Sequence, residues 1–318
     1  MNVRSPIYKN LAAKKVSSLN YEDIELWYKN GFGLGVDLIS SLKGVKIDLY
    51  SCPQTGYQFY YPFKISGDNK FYELLDKRNI HYYSSASWEH IKSLKILEKD
   101  YKKILEIGSG NHSFLKVISD KFESVIGLEL NEESVKKGIS LGLDVKNMSI
   151  NQYSMENENS IDAICAFQVL EHVSNVDDFI SSCLRCLKKN GVLIIAVPNN
   201  NAIYFKQKTL LEYYSSQNNY RLHCTTSALN SPPHHMGIWK RQSLEKLTKK
   251  YPIRIKSINY QPLDEFRFSL SRDIVVSKLN NIVGYRLSRY IGKNFFKDSI
   301  LKRIFKGDSI LVEFQKIE

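Results

Sequence analysis

Between Lys103 and Val197 the chain alternates short apolar runs with amphipathic stretches. The runs Lys103–Ile107, Ser124–Leu130, Leu143–Met148, Ile161–Ala166 and Val192–Val197 read as strands. Apolar positions at helical spacing recur over about His112–Lys121, Asn131–Leu141 and Asn175–Lys189. Runs that are apolar throughout suit strands buried on both faces, and their alternation with helices predicts a parallel sheet covered on both sides. The third helix is expected to stop at Lys188-Lys189-Asn190-Gly191, where cations fill a last turn and a glycine follows.

The flanks have a different pattern. Residues from about Tyr21 to Leu42 look helical, with a glycine-containing turn at Gly31–Gly35. From Val45 to Tyr61, β-forming residues surround Pro53-Gln54-Thr55-Gly56, which predicts a hairpin. A helix over about Ser84–Lys99 leads into the central block. After Pro198 comes a polar, aromatic stretch as far as Pro232-Pro233. A helix (Lys240–Lys250), a strand (Ile253–Tyr260), an amphipathic basic region and a last strand (Ser309–Phe314) follow.

A chain of 318 residues, 43% hydrophobic and 25% charged, has the composition of an ordinary globular protein. No apolar run approaches the roughly 18 residues that cross a bilayer. Charged and polar residues fill Met1–Asn20 where a signal peptide needs an apolar stretch, which predicts a cytoplasmic location. The five cysteines, at 52, 165, 183, 186 and 224, lack framework spacing, so buried thiols are expected rather than disulfides. Cys183 and Cys186 form a C-x-x-C on a helix, without the second ligand pair that structural zinc requires. The net charge of +12 is concentrated late: Lys240 to Asp308 carries 17 Lys and Arg against 6 Asp and Glu. That excess is either a solvated surface or a match for anionic partners such as nucleotide-linked sugars, lipid headgroups or nucleic acid.

Three constellations carry chemistry. In Ile104-Leu-Glu-Ile-Gly-Ser-Gly110 a strand ends at Glu106 and turns through Gly108 and Gly110 into a helix, as it must where a ligand approaches the backbone closely. Val125-Ile-Gly-Leu-Glu129 ends in an acid 23 residues after Glu106, where a carboxylate can accept both hydroxyls of an adenosine ribose. Asp162 opens the next strand but one, whose far end delivers Phe167, Gln168, Glu171 and His172 to the crevice where open α/β sheets bind ligands. Glu171 and His172 side by side could serve proton transfer, since an imidazole titrates near neutrality. A nicotinamide dinucleotide fingerprint fails at its third position, Ser113, and gives no account of Leu170-Glu171-His172.

Glu-x-Gly-x-Gly, the acid after the second strand, and Val169-Leu-Glu-His-Val173 resemble class I S-adenosylmethionine-dependent methyltransferases, particularly the small-molecule branch, over about Ser84–Asn200. The resemblance implies a Rossmann-like, seven-stranded, doubly wound α/β sheet with its last strand antiparallel. It implies S-adenosylmethionine as cofactor, with Glu106, Gly108 and Gly110 around its methionine part. Glu129, with Leu130 beside it, would take the ribose. Met148 and Ser149 would flank the adenine, and Gln168 would line the methionine side. His112 stands where the family often has a third glycine. Nucleic-acid N-methyltransferases typically carry an Asn/Asp-Pro-Pro-aromatic motif where this chain has Ala166-Phe-Gln-Val169, so a nucleic-acid acceptor is not expected, although the basic C-terminal region leaves it as an alternative. A non-catalytic Rossmann-like binding module is the rival from another class.

Leu49-Tyr-Ser-Cys-Pro-Gln-Thr-Gly-Tyr-Gln-Phe59 resembles the Cys-x-x-Cys-Gly hairpin of bacterial sugar- and glycan-modifying methyltransferases, with Thr55 in place of the second cysteine; no metal is expected there. Leu229-Asn-Ser-Pro-Pro-His-His-Met-Gly-Ile-Trp239 resembles the segment that returns over the acceptor pocket in such enzymes. The expected acceptor is therefore a small molecule or glycan, anionic or nucleotide- or lipid-linked. His172, His234 and His235 are the candidate bases if it is a hydroxyl. An adjacent histidine pair can also bind metal, but the sequence identifies no further ligands. The expected organisation is a helix-and-hairpin segment over 1–83 and a methyltransferase domain over 84–318. Within the latter lie an acceptor-side loop at about 199–239 and a basic helical insertion at about 262–308.

Overall fold

The computed structural model describes residues 2–33, 39–68, 70–72, 75, 87–98, 101–202, 220–265, 268, 271 and 305–318. Its centre is a seven-stranded sheet. The strands are β4 (Lys103–Ile107), β5 (Ser124–Glu129), β6 (Val145–Asn147), β7 (Ile161–Phe167), β8 (Leu187–Pro198), β10 (Ile253–Tyr260) and β11 (Ser309–Lys316). They lie in the order β10-β11-β8-β7-β4-β5-β6. β4, β5, β6, β7 and β8 pair in parallel, and β11 runs antiparallel between β8 and β10. All seven strands, and the antiparallel last one, are those the sequence predicts.

Side chains alternate between two apolar faces, as a strand's period of two requires. Leu105, Ile107, Ile164, Ala166, Leu193, Ile195, Ile310 and Val312 face helix α6 (Val176–Cys186). Ile104, Ala163, Cys165, Ile194, Ala196 and Leu311 face α2 (Trp88–Leu97) and α3 (Ser113–Ile118). Helices α4 (Glu132–Ser140) and α5 (Ile150–Tyr153) complete the central alternation.

Helix α6 ends earlier than its sequence suggests. It stops at Cys186, Leu187 is already extended, and Lys188–Gly191 lies within β8, with Asn190 in the left-handed region at φ 65°. The helix end is satisfied from outside: Lys316 Nζ, on β11, donates to the carbonyls of Leu184 (2.8 Å) and Leu187 (2.7 Å). Lys188 turns away to pair with Asp162 (2.7 Å). The helix expected over Lys240–Lys250 is α8 (Arg241–Glu245) followed by a 3-10 turn.

A second sheet, β1-β2-β3-β9, is built around the predicted hairpin. β2 (Ile47–Ser51) and β3 (Gln58–Tyr61) form that hairpin. β1 (Lys14–Leu19) is an edge strand that the sequence hides, because its side chains are almost all exposed and no apolar alternation marks it. β9 (Gly237–Ile238) comes from the far side of the chain and pairs with β3. Under this sheet Ile24 and Tyr28 of α1 (Tyr21–Phe32) pack with Ile47, Tyr60, Ala228, Met236 and Ile238. Helix α7 (Tyr220–Leu229) lies against α1 so closely that a Cβ on Gly31 would sit 2.6 Å from the Thr225 nitrogen. Ala228, Met236 and Ile238 are thus part of the core beneath the second sheet. The basic insertion expected at 262–308 lies outside the described residues except at 262–265, 268, 271 and 305–308. Among the described residues no helix is long and apolar enough to cross a membrane.

Candidate functional site

The site lies at the carboxyl ends of β4, β5, β6 and β7. Gly108 and Gly110 turn the chain out of β4 with φ of 69° and 51°, in the region that favours glycine. The turn is held against β5, since the amides of Gly108 and Ser109 both donate to the Leu128 carbonyl (2.8 and 3.2 Å). On its other side it touches the loop after β7: a Cβ on Gly108 would lie 2.6 Å from Val169 Cγ2. His112 opens α3 with φ 63° and is fully buried. Its ring bridges Ser109 Oγ (3.0 Å) and the Ser134 carbonyl (2.7 Å), tying α3 to α4 beneath the turn.

Glu106 is buried, and its Oε2 has no hydrogen-bond partner. Burial, and secondarily the nearby Glu129 carboxylate, push its pKa well above the usual carboxylate range. Glu129 accepts from the amides of Gly110 (2.8 Å), Leu130 (2.8 Å) and Asn131 (2.9 Å). This carboxylate therefore faces the glycine turn from the next strand, within reach of the same ligand. Leu130 beside it is 61% exposed, an apolar surface at the crevice mouth. Asn147 Nδ2 donates to the carbonyls of Glu129 and Leu130, both at 3.0 Å, and so brings Met148 and Ser149 alongside. Met148 packs on the core, and Ser149 forms a capping box with Gln152 at the start of α5. Gly110, Glu129, Leu130 and the Asn147–Ser149 segment are thus neighbours at the carboxyl ends of β4, β5 and β6.

Gln168, just after β7, makes a connection that the sequence does not reveal. It has φ 52°, and its Nε2 donates to Glu89 Oε1 (2.9 Å) on α2 and to Ser309 Oγ (3.1 Å) on β11. Glu89 is buried, and its charge adds to the burial that raises Asp308 to about 7. Glu89 is a site residue the sequence reading missed; its position at the start of α2, after the Ser87 cap, is a weak signal taken alone.

The three candidate histidines converge. Ring centroids are 4.3 Å apart for His234–His235, 4.9 Å for His172–His235 and 5.0 Å for His172–His234. Backbone pairing sets this up: the amides of Met236 and Gly237 both donate to the Glu171 carbonyl (2.9 and 2.8 Å), and Trp239 Nε1 donates to that of Leu170 (3.4 Å). His172 Nδ1 lies 2.6 Å from the His234 carbonyl and 3.0 Å from the Tyr72 hydroxyl, and His234 Nδ1 lies 2.9 Å from the Leu229 carbonyl. Burial lowers all three: His172 to about 4, His234 to about 3, and His235 well below the usual imidazole value. The rings are therefore neutral at neutral pH. Glu171, fully buried beside them, has neither carboxyl oxygen hydrogen-bonded, and burial raises it to about 8. Tyr72 is a neighbour that the sequence reading left without a role, whereas Glu171 is expected there beside His172. At the hairpin, Thr55 is buried, and its hydroxyl accepts from the Tyr57 amide (3.2 Å).

The methyltransferase-domain family profile matches residues 79–251, just over half of the chain. A probable S-adenosylmethionine-dependent methyltransferase of Mycolicibacterium smegmatis is 29% identical over 100 residues, which is 31% of this chain and 38% of that protein. A ubiquinone biosynthesis O-methyltransferase of Pelagibacter ubique is 29% identical over 119 residues, 34% of this chain and 49% of the relative. The matched stretch thus spans less than half the length of these two curated relatives. Among solved structures, a SAM-dependent methyltransferase from Archaeoglobus fulgidus superimposes with a TM-score of 0.52 at 18% identity, over 77% of this chain and 99% of that one. This likeness concerns the fold.

Proposed function

The chain belongs to the methyltransferase-domain family, and from that membership we propose that it moves a methyl group from S-adenosylmethionine to a hydroxyl of a small-molecule or glycan acceptor. The observation that carries this reading is the Glu106 carboxyl: buried, with Oε2 unpartnered, at the lip of the glycine turn and facing Glu129. Two acids sharing one crevice suit a ligand that brings an ammonium, a sulfonium and a ribose diol. Such a ligand would compensate the buried Glu106 and give Glu129 two hydroxyl donors. Leu130, Met148 and Ser149 would border the adenine, and Gln168, fixed by Glu89 and Ser309, the methionine end.

S-adenosylmethionine supplies a methyl carbon already activated by positive sulfur. Transfer to an acceptor oxygen would form the carbon–oxygen bond as the carbon–sulfur bond breaks, and would release S-adenosylhomocysteine and the hydroxyl proton. The protein's work is mainly alignment. Val169 presses on the cofactor turn while Glu171 and His172, two and three residues on, face His234 and His235, so one short loop couples the two halves of the site. We assign these histidines to the acceptor side, where they would face the hydroxyl.

The relative from Pelagibacter ubique, named for O-methyl transfer, supports a hydroxyl acceptor. The β2–β3 hairpin, joined through β9 to the histidine segment, supports the glycan reading, and the basic C-terminal sequence favours an anionic or carrier-linked form of it. Five buried cysteines, none of them in a disulfide, suit a cytoplasmic site of action. The test is label transfer from methyl-labelled S-adenosylmethionine to a panel of sugars, nucleotide sugars and phenols. Product formation with a hydroxyl compound supports the reading. Tight cofactor binding without transfer to any hydroxyl, but with transfer to an amine or carbon nucleophile, overturns it.

A further inference from the structure

The three histidines do more than line a wall. One nitrogen from each of His172, His234 and His235 lies within 4.8 Å of the other two. In each ring, one nitrogen faces an oxygen. His172 Nδ1 and His234 Nδ1 face backbone carbonyls at 2.6 and 2.9 Å. His235 Nε2 stands 3.9 Å from Glu171 Oε1, while its buried Nδ1 has no hydrogen-bond partner. Metal-ligating histidines are commonly held as His172 is, with one ring nitrogen on a backbone carbonyl; His235 stands near Glu171 without a hydrogen bond to it.

We propose that His172, His234 and His235 bind a divalent transition-metal ion of the zinc type, with the Glu171 carboxylate behind His235. Three imidazoles with an open fourth position form the ligand set of a catalytic zinc site, and nitrogen donors select zinc, copper, iron or nickel over magnesium and calcium. Ligand nitrogens at about 2.0–2.1 Å from a tetrahedral ion lie roughly 3.3 Å apart, so the rings draw together by up to about 1.5 Å on binding. A positive ion would also compensate Glu171, whose two oxygens otherwise lie buried without a hydrogen bond. Under the hydroxyl-acceptor reading proposed above, the open position takes the acceptor oxygen and lowers its pKa, and its proton passes to solvent. The metal site itself does not depend on that reading.

The test uses the full chain, stripped by a chelator and titrated with Zn²⁺ alone against a chromophoric competitor. The expected result is one ion per chain with a dissociation constant below about 1 µM. X-ray absorption should show nitrogen scatterers at about 2.0–2.1 Å and no sulfur. His235→Asn should weaken binding by at least about 100-fold, beyond the 10- to 100-fold typical of losing a group that only orients a ligand. Cys183→Ser should leave it unchanged. Binding of S-adenosylhomocysteine to the stripped protein, measured in parallel, reports whether each variant is folded and tests the cofactor site separately. Absence of stoichiometric zinc at about 10 µM, sulfur in the coordination shell, or wild-type affinity in folded His235→Asn overturns the proposal. Should His235→Asn not fold, the absorption spectrum of the wild-type protein decides.

Discussion

Placing a methyl group on Gly108 tests whether the cofactor turn and the acceptor loop are pressed together. Gly108→Ala has two separable costs. Its φ of 69° is left-handed, which disfavours an L-residue by about 1–2 kcal/mol. Its Cβ would also stand 2.6 Å from Val169 Cγ2, and relieving such overpacking typically costs about 1–3 kcal/mol. The expected loss is therefore about 2–5 kcal/mol, a large part of the stability of a typical domain. Val169→Ala removes the obstructing methyl and leaves the backbone cost in place. In urea unfolding, the double variant Gly108→Ala/Val169→Ala should recover about 1–3 kcal/mol relative to the sum of the single changes. Cofactor affinity should track this recovery, because the same contact positions the 168–172 loop. If the two changes add to within about 0.5 kcal/mol, Val169 does not press on the turn, and the coupling argued between the two halves of the site is refuted.

Two further perturbations probe the scaffold. Asp162 accepts from the amides of Lys102 (3.0 Å) and Lys103 (2.8 Å) and from Lys188 Nζ (2.7 Å), and although burial raises its pKa, these bonds outweigh it and hold the pKa below the ordinary value. Asp162→Ala should cost about 1.5–3 kcal/mol near neutrality; because a lowered pKa stabilises the fold above the carboxylate range and is lost as pH falls through it, the gap to wild type in urea unfolding should close in acid. Gly31→Ala drives a Cβ against the backbone of Thr225, whereas Gly33→Ala, at φ 65°, meets nothing within 4 Å. Despite Ala's better helix propensity, the first should lower the thermal midpoint more than the second; the opposite order would show that α1 and α7 are not in close contact.

The central sheet was legible because its inner strands are buried on both faces: Ile104, Ala163 and Val192 lie in near-continuous apolar runs. β1 was not, since Lys14–Leu19 buries almost nothing and is ordered by main-chain pairing to β2. The end of α6 was misplaced for a related reason: Lys188 and Lys189 look like local caps, but the capping lysine is Lys316, 130 residues on from Cys186. In the candidate site, the proposed cofactor residues could be named because each lies at a strand end at fixed spacing. The histidines could be named singly, yet their convergence rests on the amides of Met236 and Gly237 meeting the Glu171 carbonyl, a long-range pairing with no local signature. Glu89 escaped for the same reason, being a helix residue given its role by Gln168.

The most direct test of the central claim is calorimetric titration of the full chain with S-adenosylhomocysteine. Binding to one site per chain is expected, with Glu129→Ala weakening it by about 1.5–3 kcal/mol, or roughly 10- to 150-fold, as the loss of charge-assisted hydrogen bonds to the ribose requires. Absence of binding, or unchanged affinity in a folded Glu129→Ala protein, would contradict the account.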